Sequence, residues 1–189
     1  YSLTQKPETY SKEAVAHIEK SYPKKDASAD QKPTIIAIMN ESFADLGVLG
    51  HLETNQPVMP FVDSLSENTI KGFALASVYG AKTPNSEWEF LTGNSMAYLP
   101  AGSVPYQQYL KQDNAYSIVD TLKKEGYTCV AMHPYYATGW SRDTVYPQFG
   151  FDEMYFLESF NQDSLMRKYV SDATMYQKII ERYEAGKGS

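Results

Sequence analysis

The sequence predicts an α/β fold in which helices cover both faces of a largely parallel β-sheet. Short apolar runs alternate along the chain with helical patterns, and such alternation is typical of parallel sheets with helical crossovers. Two of the predicted strands are apolar throughout, which indicates strands that are buried on both faces. We therefore expect a sheet that lies inside the molecule.

Composition narrows the class of protein. Of the 189 residues, 42% are hydrophobic and 21% are charged, which excludes a chain that is disordered throughout. The longest apolar run, 35–39, is far shorter than the roughly 20 residues of a membrane-spanning helix. A net charge of −6 argues against a nucleic-acid surface. The single cysteine, Cys129, lies in an apolar stretch and is predicted to be a buried small hydrophobic residue.

The first part of the chain is predicted to be a polar arm that leads into the sheet. Residues 1–32 are rich in Lys, Asp and Pro, which indicates a linker, and a short helix over 11–20 is predicted to be capped by Ser11. The elements predicted after this arm are a buried strand at 34–39, a short helix at 59–68 and a second strand at 72–78.

Helices and strands continue to alternate in the rest of the chain. Residues 115–125 form the clearest amphipathic helix, with Ile118, Val119 and Leu122 directed inward and Gly126 as its end. The other predicted elements are strands at 128–132 and 153–157 and helices at 84–92, 142–148 and 163–185, the last with an alternative start at 171–172.

Polar residues follow three of the predicted strands, where parallel sheets bind their ligands. The first group is 40–42. A carboxylate at Glu41 could bind a divalent metal ion or act as a base. It could equally be an acidic residue that the dipole of a helix N-terminus favours.

The second group is 81–87. Thr83 followed by Pro84 is predicted to be an N-cap and first helical residue. Phosphate is stabilised at such a helix end, Lys82 adds a cation, and a threonine hydroxyl activated by a metal could attack phosphorus. The alternative is a helix cap with no further role.

The third group, 133–143, brings His133, Trp140 and Arg142 into one loop. Arg142 could bind phosphate oxygens with two hydrogen bonds, and Trp140 could form an apolar wall. Together with His133 they would make a pocket for a phosphorylated polyol. The alternative is a packing aromatic residue beside a surface arginine.

Three ordered motifs resemble the lipoteichoic acid synthase family, the phosphoglycerol transferases of the alkaline phosphatase and sulfatase superfamily. The sequence PTIIAIMNESFADL at 33–46 is similar to the family's first metal-binding segment, and ASVYGAKTPNSEWEFLTG at 76–93 to its nucleophile segment. The sequence GWSRD at 139–143, with FGFD at 149–152, is similar to its substrate-binding segment. The resemblance implies an alkaline phosphatase/sulfatase-like fold.

The resemblance also implies roles for individual residues. Glu41 matches a ligand of Mn²⁺ or Mg²⁺, and Thr83 matches the catalytic threonine that also contacts the metal. The residues that match the lining of the glycerol-phosphate pocket are His133, Trp140 and Arg142, with Lys82 within reach of it. Tyr135 stands where better-known synthases have an acidic residue.

The implied reaction is transfer of phosphoglycerol from a phosphatidylglycerol-like lipid, through Thr83, to a hydroxyl of a glycerophosphate or glycan acceptor. Alternatives are another phosphatase or sulfatase of the superfamily, a phosphoethanolamine transferase, and a non-catalytic module that binds headgroups.

The family has further metal ligands in a second half, and the last predicted helix lacks the strand expected after it. We therefore expect 33–189 to be the N-terminal portion of the catalytic domain and inactive alone. Residues 1–32 would leave transmembrane helices on the outer face of a bacterial membrane.

Overall fold

The structure, a computed structural model, describes residues 8–22, 32–40, 42–51, 53–80, 82–110, 116–162 and 165–186. The chain divides into two compact units, Tyr1–Leu75 and Ala76–Ser189. The metal-ligand candidate Glu41 lies outside the described residues.

The first unit contains two helices, α1 (Lys12–Ser21) and α2 (Pro60–Ser64), and a 3₁₀ turn at Leu46–Leu49. The predicted start of α1 is confirmed, because the Ser11 hydroxyl accepts a hydrogen bond from the Ala14 amide at 2.9 Å. The predicted helix over 59–68 is confirmed only in its first half.

The predicted strands at 34–39 and 72–78 are wrong. No described residue in either segment pairs with a strand. Ile35 and Ile38 are half-exposed, and Phe73 and Leu75 are exposed to 82% and 101%. Their apolar, β-branched pattern does fit a buried strand, but a strand also needs a neighbour to bond its backbone groups. None of the described residues supplies that neighbour.

The second unit contains the remaining elements of the described chain. Its helices are α3 (Thr83–Thr92), α4 (Pro105–Gln108), α5 (Ile118–Lys124), α6 (Arg142–Phe149) and α7 (Asp172–Ala185). Its strands are β1 (Val130–Met132), β2 (Glu153–Tyr155), β3 (Leu165–Met166) and β4 (Tyr169–Val170).

Strands β1 and β2 are parallel, with Val130 opposite Glu153 and Met132 opposite Tyr155. Helix α6 lies between them in sequence, so the pair is a β–α–β unit, and the predicted α/β class is confirmed. Both strands fall within the predicted ranges. The parallel sheet that the described residues form is nevertheless small, with two strands.

Two helix predictions need correction. Within the predicted helix over 163–185, residues 165–170 form the antiparallel hairpin β3–β4. The helix starts after its N-cap Ser171, which confirms the alternative start at 171–172. Arg167 and Lys168 both have left-handed backbones, with φ of 51° and 74°, which closes a tight two-residue turn. In α5, Ile118 is 43% exposed rather than directed inward, because it is the first helical residue after the cap at Ser117.

The hydrophobic core lies in the second unit. Helices α5 and α6 contribute fully buried residues to it, including Val119 and Phe149, and Tyr106 of α4 is 0% exposed. Cys129, just before β1, is 7% exposed, so its predicted role as a buried small residue is confirmed. Burial raises the pKa of its thiol.

Candidate functional site

The predicted nucleophile lies at the N-terminus of α3. Lys82 occupies the cap position with a left-handed backbone, Thr83 is the first helical residue, and Pro84 is the second. The prediction that Thr83 is the N-cap is therefore wrong by one position. Proline has a fixed φ that suits any place in the first turn, so it does not specify the register of the helix start. Thr83 is half-buried.

The loop before α4 packs against this helix start. The Lys82 ammonium donates a hydrogen bond to the Gly102 carbonyl at 2.9 Å. The Asn85 side-chain amide donates another to the Ser103 carbonyl at 2.9 Å, and Asn85 is 4% exposed. The first turn of α3 is thus held by tertiary hydrogen bonds as well as by its own.

A buried ion pair links α3 to α6. Arg142 Nη2 lies 2.7 Å from Glu87 Oε2, and Arg142 Nε donates to the same oxygen at 3.1 Å. The two side chains are only 3% and 14% exposed. Arg142 Nη1 donates to the Gly139 carbonyl at 3.1 Å. Arg142, predicted to bind phosphate, is therefore a positioned and charge-balanced group.

Tyr146, one turn along α6, completes this cluster. Its hydroxyl donates a short hydrogen bond to Glu87 and accepts one from Arg142 Nε at 3.1 Å. Burial, reinforced by the Glu87 carboxylate, raises the pKa of Tyr146 well above its usual range. Burial acts to lower the pKa of Arg142, but Glu87 reverses the direction and raises it. Both groups stay protonated.

His133 lies directly after β1, where its amide donates to the Tyr155 carbonyl at 2.9 Å. Burial and the positive charge of Arg142 lower the pKa of His133 to about 4. The imidazole is therefore neutral near pH 7.

Trp140 lies in a strained turn between these residues. Trp140 and Ser141 have φ of 55° and 60°, a region that non-glycine residues rarely adopt. The indole is 38% exposed. Tyr135 packs beside this turn, since its Cδ1 lies 3.4 Å from the place of a Cβ at Gly139. The turn therefore presents an aromatic side chain to solvent beside Arg142.

The predicted metal ligands are not brought together by the described residues. Glu41 lies outside them, and within the described ranges no three His, Cys, Asp or Glu side chains form a group that could bind a metal ion. The side chains that the structure describes therefore do not supply enough ligands to bind Mn²⁺ or Mg²⁺ by themselves. We therefore derive no chemical step through a metal ion, and Glu41 as its ligand stays a prediction.

Sequence reasoning missed the role of Glu87. It follows Thr83 by four residues, and this spacing places both on one face of α3. This four-residue spacing is the sequence feature that could have indicated a role for Glu87 beside Thr83. The partner, Arg142, is 55 residues away in the chain, and a single sequence gives no indication of such a pairing.

Comparison with known proteins identifies the family. Residues 33–187 match the family model described as "Sulfatase". The chain belongs to the sulfatase family. Among curated members, a Rhizobium meliloti (strain 1021) protein named "Putative cyclic beta-1,2-glucan modification protein" is 34% identical over 80% of this chain and 23% of its own length. The lipoteichoic acid synthase of Staphylococcus saprophyticus is 34% identical over 67% of this chain and 20% of its own.

A solved structure supports the same fold. The crystal structure of the lipoteichoic acid synthase LtaP from Listeria monocytogenes matches with a TM-score of 0.52 and 24% identity, over 58% of this chain and 26% of that one. The resemblance to lipoteichoic acid synthases and the alkaline phosphatase/sulfatase-like fold are thereby confirmed. This sulfatase-family chain spans about a fifth of the length of the curated relatives it matches.

Proposed function

We propose that this sulfatase-family chain provides the nucleophile and part of the headgroup pocket of a phosphoglycerol transferase. Membership of the family supports sulfatase-like or phosphoryl-transfer chemistry. The observation that supports the finer proposal most is the buried Glu87–Arg142 ion pair. It joins the helix that begins at Thr83 to the segment that contains Trp140 and Arg142, and the candidate nucleophile and candidate phosphate ligand belong to one compact unit.

The proposed reaction has two balanced steps. The Thr83 hydroxyl oxygen attacks the phosphorus of a phosphatidylglycerol-like lipid, and the bond from phosphorus to the diacylglycerol oxygen breaks. Diacylglycerol leaves with the proton that the threonine hydroxyl gave up. An acceptor hydroxyl then attacks the phosphoglyceryl-threonine, the bond from phosphorus to Thr83 oxygen breaks, and Thr83 regains a proton from the acceptor.

The pocket residues have distinct proposed roles. The Arg142 guanidinium would stabilise charge on the phosphoryl oxygens as it develops. The neutral imidazole of His133 could accept a hydrogen bond from a glycerol hydroxyl, which a charged imidazolium could not do. Trp140 would cover the apolar edge of the glycerol, and Lys82 would add positive charge beside Thr83.

The acceptor class and location are part of the proposal. The names of the relatives mention a glucan and lipoteichoic acid, so we propose an acceptor hydroxyl on a glycan or a glycerophosphate polymer. We propose that the full-length protein acts at the outer face of a bacterial membrane. Among the described residues, no helix has the length and apolar character needed to cross a bilayer.

The decisive experiment is to trap the phosphoglyceryl-threonine. The full-length protein is incubated with phosphatidylglycerol vesicles and no acceptor, and the peptide that contains Thr83 is analysed by mass spectrometry. We expect one added phosphoglyceryl group. The Thr83→Ala variant should lose it and should turn over lipid at least ~1,000-fold more slowly, since removing a nucleophile has effects of that order or larger.

Thr92→Ala is the matched control, because Thr92 ends the same helix. It should keep both the adduct and turnover. Turnover that survives in Thr83→Ala would contradict the proposal, because the nucleophile would then lie outside this chain. This chain would then have at most a headgroup-binding role. A faster reaction with phosphatidylethanolamine than with phosphatidylglycerol would instead favour a phosphoethanolamine transferase.

A further inference from the structure

Glu87 is a buried carboxylate for which the proposed reaction has no direct use. Its side chain is 14% exposed. It accepts hydrogen bonds from two nitrogens of Arg142, at 2.7 Å and 3.1 Å, and from the Tyr146 hydroxyl. Burying a charged pair is costly in free energy. Ion pairs at the surface could join two helices at a lower cost in free energy, so the burial of this pair needs an explanation.

The contacts continue from Glu87 to the strained turn. Arg142, held at Nε and Nη2 by Glu87, donates from Nη1 to the Gly139 carbonyl at 3.1 Å. That carbonyl directly precedes Trp140, whose φ is 55°. A left-handed conformation at a non-glycine residue persists only where its surroundings impose it. The Gly139 carbonyl also accepts a hydrogen bond from the Arg142 backbone amide, and the Ser141 amide bonds the Thr138 carbonyl at 3.0 Å. The Arg142 side chain adds the contact that links these backbone bonds to Glu87.

We infer that Glu87 is a positioning residue: it fixes the Arg142 guanidinium and, through Gly139, the backbone conformation that presents Trp140 to the substrate. Its function toward a headgroup rests on the proposed transferase reaction, whereas its effect on the Trp140 turn does not. Glu87 lies one turn after Thr83 in α3. Its contact with Arg142 therefore fixes the position of the candidate phosphate ligand relative to the candidate nucleophile.

The first test follows the turn itself and needs no substrate. In the full-length protein, acrylamide quenching is measured with and without Trp140→Phe, and the difference between the two reports the exposure of Trp140. We expect Glu87→Gln to raise the quenching constant roughly twofold, because an uncompensated buried guanidinium moves toward water and releases Gly139.

Glu153→Gln is the matched control. Glu153 also bonds two nitrogens of an arginine, Arg182, at 2.7 Å and 2.9 Å within the same unit, although this pair is more exposed and uses both carboxylate oxygens. The control should change the melting temperature without changing the quenching of Trp140. If Glu87→Gln does not fold, Glu87→Asp decides, because it keeps the charge but shortens the reach. Folded variants at Glu87 with wild-type quenching would overturn the inference.

The second test measures kinetics in the full-length protein with phosphatidylglycerol. We expect Glu87→Asp to lower kcat/KM by about tenfold or more at a temperature where the variant is fully folded, since misplacing a positioned group by about an ångström has effects of that order. If the variant has a lower melting temperature but wild-type kcat and KM, Glu87 only stabilises the fold, and the inference is overturned. Turnover that survives in Thr83→Ala would refute the reaction, and the quenching result would still decide whether Glu87 positions the turn.

Discussion

His133 has the most informative titration among the pocket residues, because burial and Arg142 act on it in the same direction. A histidine normally gains a proton near pH 6.5, and here it stays neutral until about pH 4. Between these values the unfolded chain binds a proton that the folded chain does not. The folded state must therefore lose stability as the pH falls through this window.

We expect His133 to contribute about 2 to 3 kcal/mol to this loss between about pH 7 and pH 4, from the size of the shift. Urea unfolding across that range measures it. His133→Gln should reduce the acid sensitivity by that amount, while His51→Gln, at an exposed position, should leave it as in the wild type. Equal acid sensitivity in His133→Gln and wild type would contradict this account.

Tyr146 and Tyr106 form a natural pair for testing the buried cluster. The Tyr146 hydroxyl bonds Glu87 and Arg142. The Tyr106 hydroxyl lies close enough to Glu87 for the carboxylate, after burial, to raise its pKa. Among the described residues, however, none forms a hydrogen bond with this hydroxyl. The two hydroxyls are equally buried and differ in what they bond.

Tyr146→Phe should therefore lower the free energy of unfolding by about 1 to 3 kcal/mol, because it leaves buried charged partners unsatisfied. Tyr106→Phe should be neutral or stabilising by up to about 1 kcal/mol, because it removes a buried polar atom that has no hydrogen-bond partner in the described part of the chain. Chemical denaturation of both variants measures the difference. A greater loss in Tyr106→Phe would show that its hydroxyl is bonded after all.

At the scale of elements, α3 illustrates how a helix is specified at both ends. Pro84 favours the first turn, and Gly93 ends the helix with φ of 70° while its amide bonds the Glu89 carbonyl. The sequence alone located both ends to within one residue. It could do so because a proline and a left-handed glycine constrain the backbone locally, whatever the tertiary surroundings.

We expect Gly93→Ala to lower the free energy of unfolding by about 1 kcal/mol, since alanine is strained at this positive φ although no atom lies within 4 Å of the new Cβ. Thermal or urea unfolding measures it. Gly72→Ala is the control: it too has open space around the new Cβ, but its backbone is not left-handed, so it should not be destabilised. Equal losses in the two variants would remove backbone strain as the cause.

Elements that depend on distant partners were harder to predict. The strands β1 and β2 were found because each is short, apolar or β-prone and bounded by turn residues. The hairpin β3–β4 was missed because its residues at 165–170 include long, helix-favouring side chains. Its turn has no glycine or asparagine to indicate it.

At the scale of the whole molecule, the candidate site also combines residues that the sequence could predict with a contact that it could not. Motif resemblance predicts Thr83, His133, Trp140 and Arg142 as site residues, and these assignments stay predictions; the structure places Trp140 in the turn that directly precedes Arg142. The ion pair from Glu87 could not be predicted, because contact across two helices depends on packing that a single sequence does not record. The metal ligand Glu41 stays a prediction.

Unequal burial across the chain leads to a prediction for the whole molecule. Ala131 of β1 belongs to the buried core and β1 pairs with β2, whereas 34–39 are exposed and have no strand partner among the described residues. Amides exchange at rates set by the local free energy of opening. We therefore expect hydrogen exchange to be slowest in β1 and α6 and close to the unfolded rate in 34–39.

Mass spectrometry of the exchanging chain measures this directly, with α1 as an internal reference for an exposed element that does have helical hydrogen bonds. The apolar side chains of 34–39 favour a strand, so slow exchange there would contradict the prediction and mean that these residues pair with a strand outside the described residues. Because Glu41 lies two residues after this segment, fast exchange at 34–39 would also mean that the predicted metal ligand has no ordered strand before it. The geometry of that ligand would then depend on whatever partner completes the strand.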